Sequence, residues 1–484
     1  MNAALRTTLF FSSIFAAIIP VFSFAYTPTN HLPAGSRSAL TIRALESGET
    51  LLNAGYSDQF FPPASTLKTV TALAAKLELG SQFKFSTRIE TGSEGLVIRF
   101  SGDPTLKSDD ITYLLKEAKK QIGNTIRGDI WLDNSAFSGY ERAVGWPWDI
   151  LGVCYSAPAS AITLDENCVP ASVSSEAGGK TRVYVPPQYP IYVSTQAQSV
   201  DKAYQKGTQC SLELIANSDN HYQLQGCMLE RKKPLPLKFA VQNPSVYTSR
   251  VISTLINQLG FEFNGVIKVG SPTGSNYQTL ATHYSPRLDA LLEEMLKKSD
   301  NLIADNLTKA LGAHFFVQPG SFGNGTEAIK QIIFAHTGID ISKAKLADGS
   351  GLSRNNRFTV DDMAAILRYI WDNEDQLQLM ALLPISGKNG TLKYRRSMRK
   401  TPIKDHIKAK SGSLYGSYNM AGYGLDENGV PRSLFVQFVT DYHPEKRDDN
   451  KPVVAPIVQF EKLFYQDVVE FSQAIPRNEF TTVK

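Results

Sequence analysis

Pro62-Pro63-Ala64-Ser65-Thr66-Leu67-Lys68-Thr69-Val70 runs on through an Ala-rich stretch to Gly80 and orders the chain around it. Leu67, Val70, Leu73 and Leu77 recur at helical spacing, the prolines precede the run and Gly80 ends it, so a helix is expected there. A residue three positions along a helix lies on the same face, so Ser65 and Lys68 can meet at its first turn. Upstream, residues 39–43 and 50–53 flank a turn at Ser47-Gly48 and read as a strand hairpin.

Downstream, residues 89–281 change texture to short β-like runs punctuated by Gly and Pro, with few long amphipathic helices, and read as an inserted module. Helical patterning returns at 286–311, with Ser299 inside it, and again at 325–336 and 359–372. Residues 405–414 and 433–439 read as strands. Ile457, Phe460, Leu463, Phe464, Val468 and Phe471 trace the apolar stripe of a closing helix. This is a mixed α/β chain with a discontinuous catalytic domain, 26–88 and 282–484, whose halves must fold together around the insertion.

With 484 residues the chain has room for two or three cores. Fifty Lys plus Arg against 46 Asp plus Glu leave a net charge of +4, which gives no reason to expect nucleic acid as a partner. Residues 1–25 read as a cleavable export signal: Arg6 is the basic end, 9–22 are apolar, and Ser23-Phe24-Ala25 is a small-x-small site. No other stretch is apolar enough to cross a bilayer. Cys154, Cys168, Cys210 and Cys227 all fall in the insertion; of the three connectivities, the local pairs 154–168 and 210–227 are preferred. No Cys-x-x-Cys occurs and His221 is the only nearby His, so neither a metal nor any other cofactor is expected.

Three strings in order carry the chemistry: Ser65-Thr66-Leu67-Lys68, Ser299-Asp300-Asn301 and Lys410-Ser411-Gly412. Single strings prove little, since Ser-x-x-Lys recurs at Ser81, Ser199, Ser342 and Ser397, and Ser-Asp-Asn at Ser218. Order and context select the set. A serine hydroxyl needs a base within hydrogen-bond reach, and Lys68 can serve if burial and a neighbouring cation such as Lys410 lower its proton affinity. Ser299 suits a proton relay. Asn301 could hold Lys68 and donate to a substrate carbonyl. Lys410 is expected to carry a fixed positive charge for a substrate carboxylate, with the Ser411 hydroxyl beside it and Gly412 leaving room for substrate backbone. The backbone N–H groups of Ser65 and Ser413 would form the oxyanion hole.

The three strings resemble the signature of β-lactamases and penicillin-binding proteins. Within that superfamily the chain resembles the D-Ala-D-Ala carboxypeptidase/endopeptidases of the penicillin-binding protein 4 type. Trp148, Tyr155-Ser156-Ala157-Pro158 through Asn167, Asp348-Gly349-Ser350-Gly351-Leu352-Ser353-Arg354, Leu383-Pro384-Ile385-Ser386-Gly387 and Gly390-Thr391-Leu392 look like further blocks of that family. The resemblance implies a β-lactamase/DD-peptidase-like catalytic domain, an antiparallel sheet flanked by helices plus a helical subdomain. It also implies an enzyme that acts on peptidoglycan stem peptides and is acylated by β-lactam antibiotics, and the export signal at 1–25 leads us to expect it in the periplasm, soluble or loosely membrane-associated. Ser411 departs from the usual Thr of the third string. A β-lactamase or esterase on the same fold, and a non-catalytic peptidoglycan-binding protein, are the alternatives.

Overall fold

The computed structural model describes residues 26–274, 276–445 and 454–475; the expected leader at 1–25 lies outside the described residues. The hairpin is formed by β1 (Arg37–Ala44) and β2 (Thr50–Gly55). After it comes α1 (Leu67–Glu78), whose residues Leu67 to Lys76 are all buried. The long helices that follow the insertion are α2 (Leu288–Lys298), α3 (Asn301–Phe316), α4 (Phe322–Thr337) and α5 (Val360–Asp372). The chain then makes β3 (Ile407–Leu414), β4 (Ser417–Leu425) and β5 (Pro431–Thr440), and closes with α6 (Pro456–Ala474).

These strands form one antiparallel sheet in the order β3-β4-β5-β1-β2, so both ends of the described chain meet in it. Alternation along β5 shows how it is packed. Leu434, Val436 and Phe438 join the core beneath α1 to α5, whereas Phe435 and Val439 join the core beneath α6. A two-residue period thus builds two apolar layers on one sheet, with β3 left as an outer edge.

The chain leaves this body through Ser86–Gly92 and returns through Gln278–Tyr284, and the two strands pair with each other. They belong to a five-stranded sheet of the insertion, so the expected limits 89 and 281 cut through paired strands. Further three- and four-stranded sheets follow, but two fifteen-residue helices, Ser108–Ile122 and Pro244–Gln258, also pack here. The insertion is therefore less purely β than its Gly- and Pro-punctuated sequence reads. Disulfides join Cys154 to Cys168 and Cys210 to Cys227.

Helical patterning across 286–311 conceals a break. Ser299 is not inside a helix: it adopts a left-handed φ of 61° at the end of α2, and Asp300 then caps α3 by accepting from the Ile303 N–H at 2.9 Å. The string Ser-Asp-Asn ends one helix, starts the next and sends its third residue inward.

Candidate active site

Ser65 lies in a single 3-10 turn, Ala64–Thr66, just before α1. Ala64 is held at φ 49°, an uncommon left-handed value for a residue with a Cβ. Two glycines clamp this turn. A Cβ on Gly351 would lie 1.9 Å from Ala64 O, and one on Gly412 would lie 2.9 Å from the Ser65 N. The room at Gly412 is thus taken up by the nucleophile turn, which corrects the expectation that it admits substrate backbone.

Lys68 is completely buried, and its Nζ meets three oxygens: Ser65 Oγ at 3.0 Å, Asn301 Oδ1 at 2.6 Å and the Ser350 carbonyl at 2.6 Å. Burial pushes its ammonium down from 10.5 to about 8, against the opposing pull of Asp305, Asp348 and Asp300. Lys410 is also completely buried, and burial first, then repulsion from Lys68 and Arg395, holds it well below the ordinary lysine range. Removal from water beside two other cations therefore works against the fixed positive charge expected of Lys410. Lys410 Nζ donates to Ser299 Oγ at 2.9 Å and to the Ser411 carbonyl at 2.7 Å. The Ser411 hydroxyl shares a 2.8 Å hydrogen bond with Thr391 Oγ1.

Ser413 lies near the end of β3. At the other end of that strand the Ala409 N–H donates outward to Pro384 O at 3.0 Å, so by the two-residue period the Ser411 and Ser413 N–H groups face the same open edge.

Several groups around Lys68 carry no string of their own. Asp305 stands one turn after Asn301 on α3 and accepts from the Gly349 and Ser350 N–H groups at 3.1 and 2.9 Å, which orients the Ser350 carbonyl. Asp348 holds the same loop by accepting from the N–H groups of Gly351 and Ser353 and from Asn356 Nδ2. The insertion also reaches in. Trp146 Nε1 donates to Asp348 at 2.8 Å, and the Tyr155 carbonyl accepts from Asn301 Nδ2 at 2.7 Å. The Asn301 amide N–H is thereby engaged within the protein. Sequence reading noticed Tyr155, Thr391 and the 348–354 segment as blocks without roles and passed over Asp305 and Trp146; an acid at i+4 from Asn301 was the one available signal. Among the described residues no group of three or more His, Cys, Asp or Glu is arranged to hold a metal.

A family model described as the D-Ala-D-Ala carboxypeptidase 3 (S13) family matches residues 28–463. The chain is 38% identical over 453 residues, 92% of its length and 93% of the relative's, to D-alanyl-D-alanine carboxypeptidase DacB of Haemophilus influenzae. The crystal structure of penicillin-binding protein 4 (dacB) from Haemophilus influenzae superposes with a TM-score of 0.84 at 37% identity, covering 92% of this chain and 98% of that one. A second crystal structure of that protein, complexed with a β-lactam, superposes with a TM-score of 0.79 at 36% identity over the same shares.

Proposed function

The chain belongs to the D-Ala-D-Ala carboxypeptidase 3 (S13) family of serine peptidases, and from that premise we propose how its own residues perform the hydrolysis and on what. The observation that carries the proposal is the trio of oxygens around Lys68 Nζ. A neutral amine has two N–H donors and one lone pair. The Asn301 and Ser350 oxygens can accept both donors, which leaves the lone pair facing the Ser65 hydroxyl. With its proton affinity lowered to about 8, Lys68 is neutral often enough at physiological pH to act as general base.

Ser65 Oγ attacks the carbonyl of the penultimate D-Ala as Lys68 takes its proton. The Ser65 and Ser413 N–H groups receive the developing oxyanion, and as the C–N bond breaks the proton taken by Lys68 is relayed through the Ser299 hydroxyl, held by Lys410, to the departing amine, which leaves Lys68 neutral again. Water then hydrolyses the acyl-enzyme. The substrate carboxylate binds at Lys410 and Ser411, and its charge favours the protonated form of Lys410 that burial opposes. Substrates are peptidoglycan stem peptides, cut either at terminal D-Ala or at the D-Ala-to-diaminopimelate cross-link. β-Lactams enter the same step and stay as a slowly released adduct; the β-lactam complex of the Haemophilus protein supports this reading.

The chain divides into a catalytic body, 26–88 and 282–484, and a module, 89–281, and the paired strands at the crossing support moving those edges to 86 and 284. A periplasmic location is supported by the expected leader, the two disulfides, and the finding that no helix among the described residues is long and apolar enough to cross a membrane. Fractionation that places the protein with integral membrane proteins would contradict it. Mass spectrometry of products from purified muropeptide monomers and cross-linked dimers tests the function. Wild type is expected to release D-Ala or separate the dimers and Ser65→Ala to do neither; rapid, repeated hydrolysis of benzylpenicillin would instead indicate a β-lactamase.

A further inference from the structure

The Asn301 carboxamide has two ends of nearly equal shape, and only one orientation serves Lys68. With Oδ1 toward the amine, Asn301 accepts an N–H and leaves the lone pair for Ser65. Reversed, its NH2 group would face Lys68, remove that acceptor and compete with the Ser65 hydroxyl for the lone pair. What decides the orientation is the group at the far end. That group is the main-chain carbonyl of Tyr155, which can only accept, and it lies 2.7 Å from Nδ2. The Tyr155 side chain is more than half exposed, so the backbone oxygen is what this position supplies to Asn301.

The carbonyl is held firmly. Tyr155 sits in the 3-10 turn Cys154–Ser156, where the Ala157 N–H donates to Cys154 O at 3.0 Å and Ser156 Oγ to Val153 O at 2.8 Å. Cys154 is bonded to Cys168, the first residue of a strand of the insertion. Directly before Cys168, Asp165, Glu166 and Asn167 stand in succession at φ 51°, 61° and 46°. That costly run is fixed by Asp165, which accepts from Ser108 Oγ at 2.6 Å and Tyr247 Oη at 2.9 Å, and by Asn167, which donates back to Pro158 O at 3.0 Å. A three-residue left-handed stretch and a covalent cross-link therefore converge on one turn, and that turn delivers one oxygen to the catalytic amide.

We propose that the Tyr155 carbonyl, tethered through the Cys154–Cys168 disulfide, is a positioning group that fixes the orientation of Asn301 and so aims the Lys68 lone pair at Ser65. The inserted module then completes the catalytic centre from outside the catalytic sheet. This rests on Lys68 being the general base. The charged groups facing Lys68 are Asp300 and Asp305 of α3, Asp348 of the 348–354 loop and Lys410 of β3.

The test compares Cys154→Ser/Cys168→Ser with Cys210→Ser/Cys227→Ser, whose disulfide lies in the same module without touching the site. Second-order acylation by benzylpenicillin is measured by intact mass, per active site, from pH 6 to 10. Loss of the 154–168 link should lower the plateau at least about tenfold and move the rising limb to lower pH, because an NH2 dipole turned toward Lys68 disfavours its ammonium form. Loss of the 210–227 link should change neither. A 154/168 variant that melts earlier but keeps the wild-type constant and limb overturns the proposal. Should that variant not fold, the Cys210→Ser/Cys227→Ser enzyme is reduced after folding, with circular dichroism before and after. Acylation must then fall on reduction and return on reoxidation, and unchanged acylation in the reduced, folded enzyme overturns the proposal. A wild-type profile with no limb near pH 8 overturns the reading of Lys68 as base and this proposal with it.

Discussion

Lys68 is the residue on which the chemistry turns, and its environment sets a pH dependence with a definite sign. Below about pH 8 the fraction of Lys68 that is neutral and offers Ser65 a lone pair falls about tenfold per pH unit, so the acylation constant should rise by that factor with pH and level off above that value. Lys68→Met should cost about 10²–10⁴-fold in acylation, the usual worth of a general base, and abolish the limb; a stopped-flow pH profile with a chromogenic β-lactam checks both. Asp305 tunes the same limb. Burial and the neighbouring Asp348 hold the Asp305 carboxyl well above its ordinary range, while the Lys68 ammonium and the Ser350 N–H favour its ionised form. Asp305→Asn keeps an oxygen for the Gly349 and Ser350 N–H groups and removes whatever charge Asp305 carries beside Lys68, so the limb should move to lower pH. A limb that moves upward would show that Asp305 does not act through its charge. Ser411→Thr keeps the hydroxyl that meets Thr391 and is expected to retain turnover of the same order. At this scale the sequence was legible wherever a side chain does the chemistry. It was silent where a main-chain oxygen or a buried charge acts, since the Ser350 and Tyr155 carbonyls would exist with any residue there, and only folding selects them.

Elements bring those residues together by close approach, and glycine marks the approaches. Gly412 on β3 leaves no room for a Cβ, which would meet Thr66 N at 2.8 Å and Pro63 O at 2.9 Å as well as the Ser65 N. Gly412→Ala should therefore displace the nucleophile turn from β3, costing on the order of 1–3 kcal/mol of stability and at least about 100-fold in acylation, because a shift of about 1 Å in a reacting group has that effect. Thermal melting and benzylpenicillin acylation, measured together, check this; an enzyme that melts earlier but acylates normally would refute the clamp. The hairpin, α1, α5, β5 and α6 were readable because each has a clean apolar period. β4 was not, although it is an interior strand of the sheet. Asn419, Gly422 and Gly424 interrupt its pattern, and Gly422 is there because a Cβ would lie 2.2 Å from Lys408 O on the neighbouring strand. The break between α2 and α3 was equally hidden, since Leu296 and Leu302 continue the apolar run across Ser299 and Asp300.

Across the whole molecule the question is how a module of this size stays registered on the catalytic body. The short strings say nothing about it, because the grip is a set of single contacts between residues far apart in sequence. Lys309 on α3 is the clearest of them. Buried against the Phe137 and Phe322 rings, its Nζ donates at 2.8 Å to the Tyr140 and Ala159 carbonyls, both in the insertion. Asn306, three residues earlier on the same helix, donates to Gly102 O at 2.8 Å. Burial lowers Lys309 from 10.5 to about 8, so between those values the unfolded chain holds a proton that the native protein has released. Stability contributed at this site therefore rises with pH across that window, by up to about 3 kcal/mol, and is smallest below pH 8, where the native protein carries a buried charge. Lys309→Met removes the titration and leaves two buried carbonyls unpaired. Its stability gap from wild type should widen as pH goes from 7 to 10, and the variant should be the weaker at pH 10 by about 1–3 kcal/mol per orphaned carbonyl. Denaturant unfolding of both proteins at the two pH values reads the gap directly. Parallel curves would mean that Lys309 does not titrate between the two states.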